Sequence, residues 1–342
     1  MIEHRQPHRD GPPRLTLENE QVRVTLLPTK GFDVYEFVDL PSGTDVLFKT
    51  PWGLRDPATI PPLGTRKADW LARYPGGWQV LLPTAGEDAV AEDSPEGFHG
   101  EAAIVPWLLG DVTATRASAC VELLSAPLRL ERDVVVDGST LAITETVTNL
   151  SPVTQRFHWV HHPAFGEPFL EPGTTIDVPA GGIVTEPGPG LLIPDSRLEW
   201  PSAGTVDGGI VDLARIPERD QQRALFGTLV DFREGRYTMA NPRLGLAVEV
   251  RWDLDVFPYA WLWQELEHTE GYPWFRRAYV TAIEPASLIP GAGEVGGHSR
   301  GRLLYLDGHE RRSTVLTMSL LRSGRPQHDA RPPHAASTGA TS

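Results

Sequence analysis

Cysteine is almost missing from the chain. A single thiol, Cys120, in 342 residues excludes any intramolecular disulfide and any cysteine-built zinc cage, and this fits a reducing compartment. Its neighbours, Ala117 to Leu124, read as strand, so the thiol is expected to be buried and inert. Basic residues are in the minority. The 31 Lys and Arg stand against 45 Asp and Glu, a formal charge of −14 that repels phosphate backbones and anionic lipid surfaces. Neither nucleic acid nor a membrane is expected as a partner. No stretch approaches the roughly 20 apolar residues that cross a bilayer. The opening MIEHRQPHRDGPPR lacks the apolar core of a signal peptide, so a cytoplasmic location is expected. Helical periodicity is scarce as well. It surfaces weakly at Lys67 to Arg73 and at Val211 to Leu225, and neither alternates with strands as a parallel α/β sheet requires.

What the chain does have is turns and short alternating runs. The 33 Gly and 32 Pro suit a protein of many strands. Apolar-alternating segments recur at Val22 to Leu27, Asp33 to Leu40, Leu128 to Val136, Leu141 to Asn149, Thr154 to His161 and Arg236 to Ala240. They continue at Leu246 to Trp252, Tyr259 to Trp263, Arg277 to Ile283, Arg302 to Tyr305 and Ser313 to Leu321. Turn residues separate them at Pro41-Ser42-Gly43, Asp137-Gly138, Leu150-Ser151-Pro152 and Asp307-Gly308. The pattern predicts an all-β fold of two packed antiparallel sheets with a curved face. With no fixed-period repeat and no linker in the middle, residues 14–322 read as one domain. Residues 1–13 and 323–342 have little to bury and are expected to be disordered.

Three segments carry chemistry. In Thr144 to Gly166 a hairpin leads into a strand crowded with His and aromatic residues. Regular alternation puts His158, Val160 and His162 on one face and Trp159 and His161 on the other. Pro163 is expected to end the pairing and leave His162 at a sheet rim. In Tyr279 to Pro285 an apolar strand finishes in Glu284, again expected at a rim, where a carboxylate and an imidazole suit acid/base work. In Gly97 to Trp107, His99 sits beside Gly100 and Glu101, after a Gly76-Gly77 pair that would let backbone approach a ligand. Of the 10 Trp, Trp78, Trp107, Trp261, Trp263 and Trp274 lie near these segments; one or two are expected to stack on a sugar, the rest to fill the core.

These residues resemble the aldose 1-epimerases, a galactose mutarotase-like superfamily. Asn149 followed by His162-Pro163-Ala164-Phe165-Gly166 is similar to the family's Asn-then-His-x-x-Phe pattern. His99-Gly100 through Pro106-Trp107 is similar to its first His-Gly segment, and Thr175 to Ala180 and Ile283-Glu284-Pro285 follow in the family's order. The resemblance spans roughly Asn19 to Leu321. It implies a β-supersandwich that binds a small-molecule carbohydrate in its concave face, without metal or organic cofactor; a monomer or homodimer is expected, with the oligomeric state left open.

By the same resemblance Glu284 would be the base that takes the anomeric proton and His162 the acid that protonates the ring oxygen. His99, Trp107, Gln79, Trp263, His161 and Arg73 would contact substrate. Two adjacent histidines stand where the family has one, so His161 and His162 are both candidates for the acid. The family's sugar-binding Asn-Arg pair has no counterpart in the same words; Lys49, Arg55, Arg66 and Arg73 are candidates. Two other readings remain: a cupin-like metal isomerase using His ligands from a barrel, and a carbohydrate-binding domain without turnover. The sugar itself, hexose or derivative, is not legible.

Overall fold

The computed structural model describes residues 11–87, 89–91 and 94–322. Two large antiparallel sheets dominate it. The larger has 11 strands, in spatial order Leu15–Glu18, Val22–Leu27, Asp33–Asp39, Trp78–Leu81, Val160–Gly166, Tyr279–Ala286, Tyr259–Leu266, Arg223–Val230, Gly182–Thr185 and Arg197–Glu199, with Thr44–Asp45 beside the third. The smaller has 8, in the order Thr175–Asp177, Arg236–Asn241, Leu246–Arg251, Arg311–Arg322, Thr140–Asn149, Leu128–Asp137, Arg116–Glu122 and Leu108–Val112. The all-β supersandwich read from the sequence is therefore the fold. It is not a His-ligated barrel of the cupin kind.

Side-chain period decides which sheet face is wet. Leu128–Asp137 and Thr140–Asn149 alternate buried and half-exposed residues, as strands covered on one face do, and a two-residue turn through Gly138 (φ +53°) joins them. Val160–Gly166 and Tyr279–Ala286, by contrast, are buried at every position. These central strands of the larger sheet are covered twice. One face packs on the smaller sheet through residues such as Phe165, Ile283 and Leu262 against Val147, Met318 and Val250. The other carries a second apolar layer that includes Trp70, Tyr74, Val160, Trp261 and Ala282.

That second layer rests on the one α-helix among the described residues, Arg66–Arg73. Thr65 caps it by accepting from the Ala68 amide at 3.1 Å, and Trp70 and Tyr74, four residues apart, stack with centroids 5.0 Å apart. The weak periodicity at Lys67 to Arg73 is thus a helix. The one at Val211 to Leu225 is not: the stretch runs from strand Ile210–Asp212 through turns into strand Arg223–Val230, whose apolar positions pair with Tyr259–Leu266. Sheet pairing overrode a marginal helical pattern. Of the two ends expected to be disordered, 1–10 and 323–342 lie outside the described residues, whereas Pro12, in 11–13, is buried.

Two further expectations are corrected here. Pro163 does not end its strand, since it pairs opposite Trp78, and Val160–Gly166 continues three residues beyond it. Gly76 and Gly77 do not open backbone to a ligand. A Cβ on Gly76 would fall 2.1 Å from the Phe48 carbonyl oxygen and one on Gly77 2.4 Å from that of Val34, so close strand approach requires both glycines, at φ +89° and +87°.

Candidate active site

Cross-strand register assembles the site. Gln79 pairs with His162, Glu284 with Trp261, and Trp261 with Thr228. Between the second and third of these strands, Val160 pairs with Ala286 and Ala164 with Ala282, a register that sets His162 opposite Glu284. The ladder lapses at 161–163 and 283–285, where Pro163 and Pro285 have no N–H to donate. Gln79, His162, Glu284 and Trp261 therefore form one row across the middle of the sheet. His162 and Glu284 are not at rims, as expected from sequence; they are 5% and 2% exposed in central strands.

Above the row lies a cavity of about 670 Å³, lined by His162, Glu284 and His99 and walled by Trp70, Tyr74, Phe98, Trp261, Trp263 and Trp274. His162 Nε2 is 3.6 Å from Glu284 Oε1, so the pair stands side by side, not across a hollow. Rings crowd it: Tyr74, Trp263, His99 and Trp70 have centroids 5.5, 5.8, 6.1 and 6.3 Å from that of His162. Burial among rings pushes the Glu284 carboxyl well above its ordinary range and brings His162 down to about 4. His99, strained at φ +56°, accepts the Gly86 amide on Nδ1 at 3.1 Å and so carries its proton on Nε2; burial, then the neighbouring His162, hold it well below its ordinary value.

Many polar atoms here lack a partner. His162 Nδ1, Glu284 Oε2, Tyr74 OH, Trp70 Nε1 and Gln79 Oε1 are all buried without a hydrogen bond. Unpaired buried groups are costly. Lys67, the one lysine or arginine among the described lining, pairs with Glu87 at 2.5 Å. No group of three or more His, Cys, Asp or Glu able to hold a metal ion occurs among the described residues.

Of the residues picked from sequence, His162, Glu284, His99, Trp261, Trp263 and Trp274 meet in this cavity, whereas Trp107, Arg73, Gln79 and His161, and the basic candidates Lys49, Arg55 and Arg66, do not line it. Trp107 is in the inter-sheet core, stacked on Phe32 with the Arg132 guanidinium 5.0 Å over its ring. Arg73 braces the helix end by donating to the Asp69 and Ile60 carbonyls. Gln79 shares the row but is held by Asp33 and the Gly76 carbonyl, at 3.1 and 2.7 Å. His161 faces the core, opposite to His162, as the alternation predicts. There its Nδ1 accepts from Trp78 at 3.1 Å and its Nε2 lies 3.0 Å from Glu145, which Arg132 also binds at 2.6 Å.

The sequence reading missed Trp70, Tyr74 and Phe98 in the cavity wall and the fully buried Lys30–Asp33 pair that holds Gln79. The i, i+4 aromatics of the 66–73 segment were a usable signal for the first two. Nothing local marks Lys30 and Asp33.

Comparisons with known proteins agree with this architecture. The Slr1438 protein from Synechocystis sp. PCC 6803 superposes with a TM-score of 0.66 at 18% identity, covering 92% of this chain and 97% of that one. A galactose mutarotase-like protein from Lactobacillus casei ATCC 334 gives 0.64 at 16%, covering 90% and 100%. An aldose epimerase homologue from C. elegans gives 0.60 at 13%, covering 91% and 99%. The fold is galactose mutarotase-like. No curated protein matches the chain. The family described as a domain of unknown function, DUF4432, matches residues 9–187 and 211–320, and the chain belongs to it.

Proposed function

We propose that this chain is an aldose 1-epimerase-type isomerase that interconverts the anomers of a hexose or hexose derivative by opening and reclosing the ring. One observation carries the reading: a His–Glu pair 3.6 Å apart on the floor of an aromatic cavity, among unpartnered buried polar atoms. Ring opening needs one proton removed from the anomeric hydroxyl and one delivered to the ring oxygen. Both oxygens are bonded to the same carbon, so an acid and a base must stand close together, as these do. Trp263, Trp261 and Trp274 offer faces for the C–H surfaces of a pyranose, and His99, with its proton on Nε2, supplies a donor. Nothing in this chemistry calls for a cofactor, because the substrate generates its own carbonyl.

Polarimetry of freshly dissolved α-anomers tests it. Wild type should speed the approach to equilibrium, and His162→Ala and Glu284→Gln should each lose about 10²–10⁴-fold, the usual worth of a positioned acid or base. Equal rates for all three proteins would remove the mechanism and leave a binding domain.

A further inference from the structure

The cavity is longer than a single sugar. Five consecutive strands of the larger sheet line it, through His162, Glu284, Trp263, Phe226 and Thr185 in turn. At about 4.8 Å between neighbours, the four gaps carry it about 19 Å across the sheet. His162 and Glu284 are on the first two of these strands. A pyranose with C1 at that pair and its face on Trp263 covers about two strand spacings, so the stretch over Phe226 and Thr185 lies beyond it. The volume, about 670 Å³, is in the range that encloses drug-sized ligands.

This outer stretch offers rings and hydrocarbon. Phe226 pairs with Trp263 in register and stands edge-on to Trp261, with centroids 5.7 Å apart. Trp261 gives its indole N–H to the Leu288 carbonyl at 2.9 Å, which leaves only ring surface for a ligand. Residues 187–192, Pro-Gly-Pro-Gly-Leu-Leu, contribute no polar side chain. The polar groups beside them are already bound. Thr185 Oγ1 donates to the Ile193 carbonyl at 2.7 Å, Glu186 accepts from Arg300 at 3.2 Å, and Glu265 accepts the His268 and Thr269 amides at 2.8 and 2.9 Å. Arg300 also donates to the Thr185 carbonyl at 2.7 Å and to Asp195 at 3.1 Å, which pins both ends of the 186–195 segment. The one lysine of the described lining, Lys67, belongs to the helix beside His162 and is paired with Glu87.

We infer that the preferred substrate is an uncharged reducing sugar that carries an apolar, ring-sized group, an aryl ether or ester, on a hydroxyl other than the anomeric one. The sugar's seat at the His162–Glu284 pair rests on the anomer-interconverting reading above; the outer stretch adds what is attached to it. C1 must keep a free hydroxyl for the ring to open, so a group held over Phe226 hangs from the far side of the pyranose, at C3, C4 or C6. Its ring, laid against Phe226 and Leu191, takes apolar surface out of water on both partners. A phosphate or carboxylate would instead meet the Glu186 and Glu265 carboxylates, while Arg300 is already held by four acceptors. A second sugar would set its hydroxyls against side chains with few hydrogen bonds to give.

Titration of the tryptophan fluorescence of the full chain measures binding without turnover. The probes are glucose and galactose, their 3-, 4- and 6-O-benzyl ethers, maltose and lactose, and the 6-phosphates. At least one benzyl ether should bind about tenfold more tightly than its parent sugar, the worth of one ring buried among aromatics. Phe226→Ala removes the platform and Ala224→Trp fills the stretch from a half-buried position, so each should bring the ether-to-parent ratio most of the way to one. No ether that gains, a ratio that either folded variant leaves intact, or a larger gain for a disaccharide or a phosphate overturns the inference. Anomer exchange of the same sugars, followed by NMR, keeps the two readings apart. An ether that binds as expected without exchange sinks the isomerase reading and leaves the outer subsite standing; exchange of the parent sugars with no preference for any ether does the reverse.

Discussion

Removing the Arg132 guanidinium should cost the fold about 3–5 kcal/mol, because it strands a buried carboxylate. Arg132 and Glu145 are 2% and 0% exposed, and the same carboxylate accepts from Trp159 Nε1 at 3.0 Å. Holding Glu145 at about 2 instead of its ordinary 4.5 corresponds to about 3 kcal/mol at about 1.36 per pH unit, in line with the first figure. The sign is definite. A depressed acid contributes fully above its unfolded value, so this stability is present above pH 4.5 and lost as pH falls through about 2. In Arg132→Met only His161 is left to oppose the burial that raises the same acid, so the variant loses much of the stability that wild type gains above pH 4.5. The gap between the two proteins, read from urea unfolding, should therefore widen from acid to neutral pH. Arg132→Met/Glu145→Gln, uncharged and close in volume, should recover much of the loss, since Gln still accepts from Trp159. A gap under about 1 kcal/mol at pH 7, a gap that does not change with pH, or a double variant weaker than Arg132→Met would refute the reasoning.

Glu284→Gln should behave oppositely in stability. A raised acid costs stability as pH rises past its unfolded value, so the variant should gain on wild type from about pH 5 upward in thermal melts. Trp263→Ala strips a ring 5.8 Å from His162 and should raise KM about 2- to 13-fold, the worth of about 0.5–1.5 kcal/mol of stacking, with kcat nearly kept. Gly77→Ala must place a Cβ 2.4 Å from the Val34 oxygen at φ +87°, and loss of more than about 1 kcal/mol in unfolding free energy is expected.

Much of this was legible because alternation is local. The period-2 runs located the strands, and one-face arithmetic on the 158–163 segment already separated His161 from His162. The rim placement failed because a proline was read as a terminator. In the sheet, Pro163 and Pro285 both stay in central strands and leave a gap in the hydrogen-bond ladder at the His162–Glu284 position. That pairing spans 122 positions of sequence, so no local pattern could disclose it. Trp107 shows the complementary failure: an aromatic near a motif was credited to the ligand, while its indole N–H was already committed to the Ala102 carbonyl at 3.0 Å. Lys30, in the turn that leads into Asp33–Asp39, and Asp33, the first residue of that strand, acquire their burial only from the strands packed around them.

A crystal structure of the protein soaked with a panel of reducing monosaccharides addresses the reaction centre most directly. A sugar ring against Trp263 with its anomeric hydroxyl and ring oxygen within hydrogen-bond reach of His162 and Glu284 is the predicted result. A sugar seated elsewhere, or with its anomeric carbon turned away from both side chains, would contradict it.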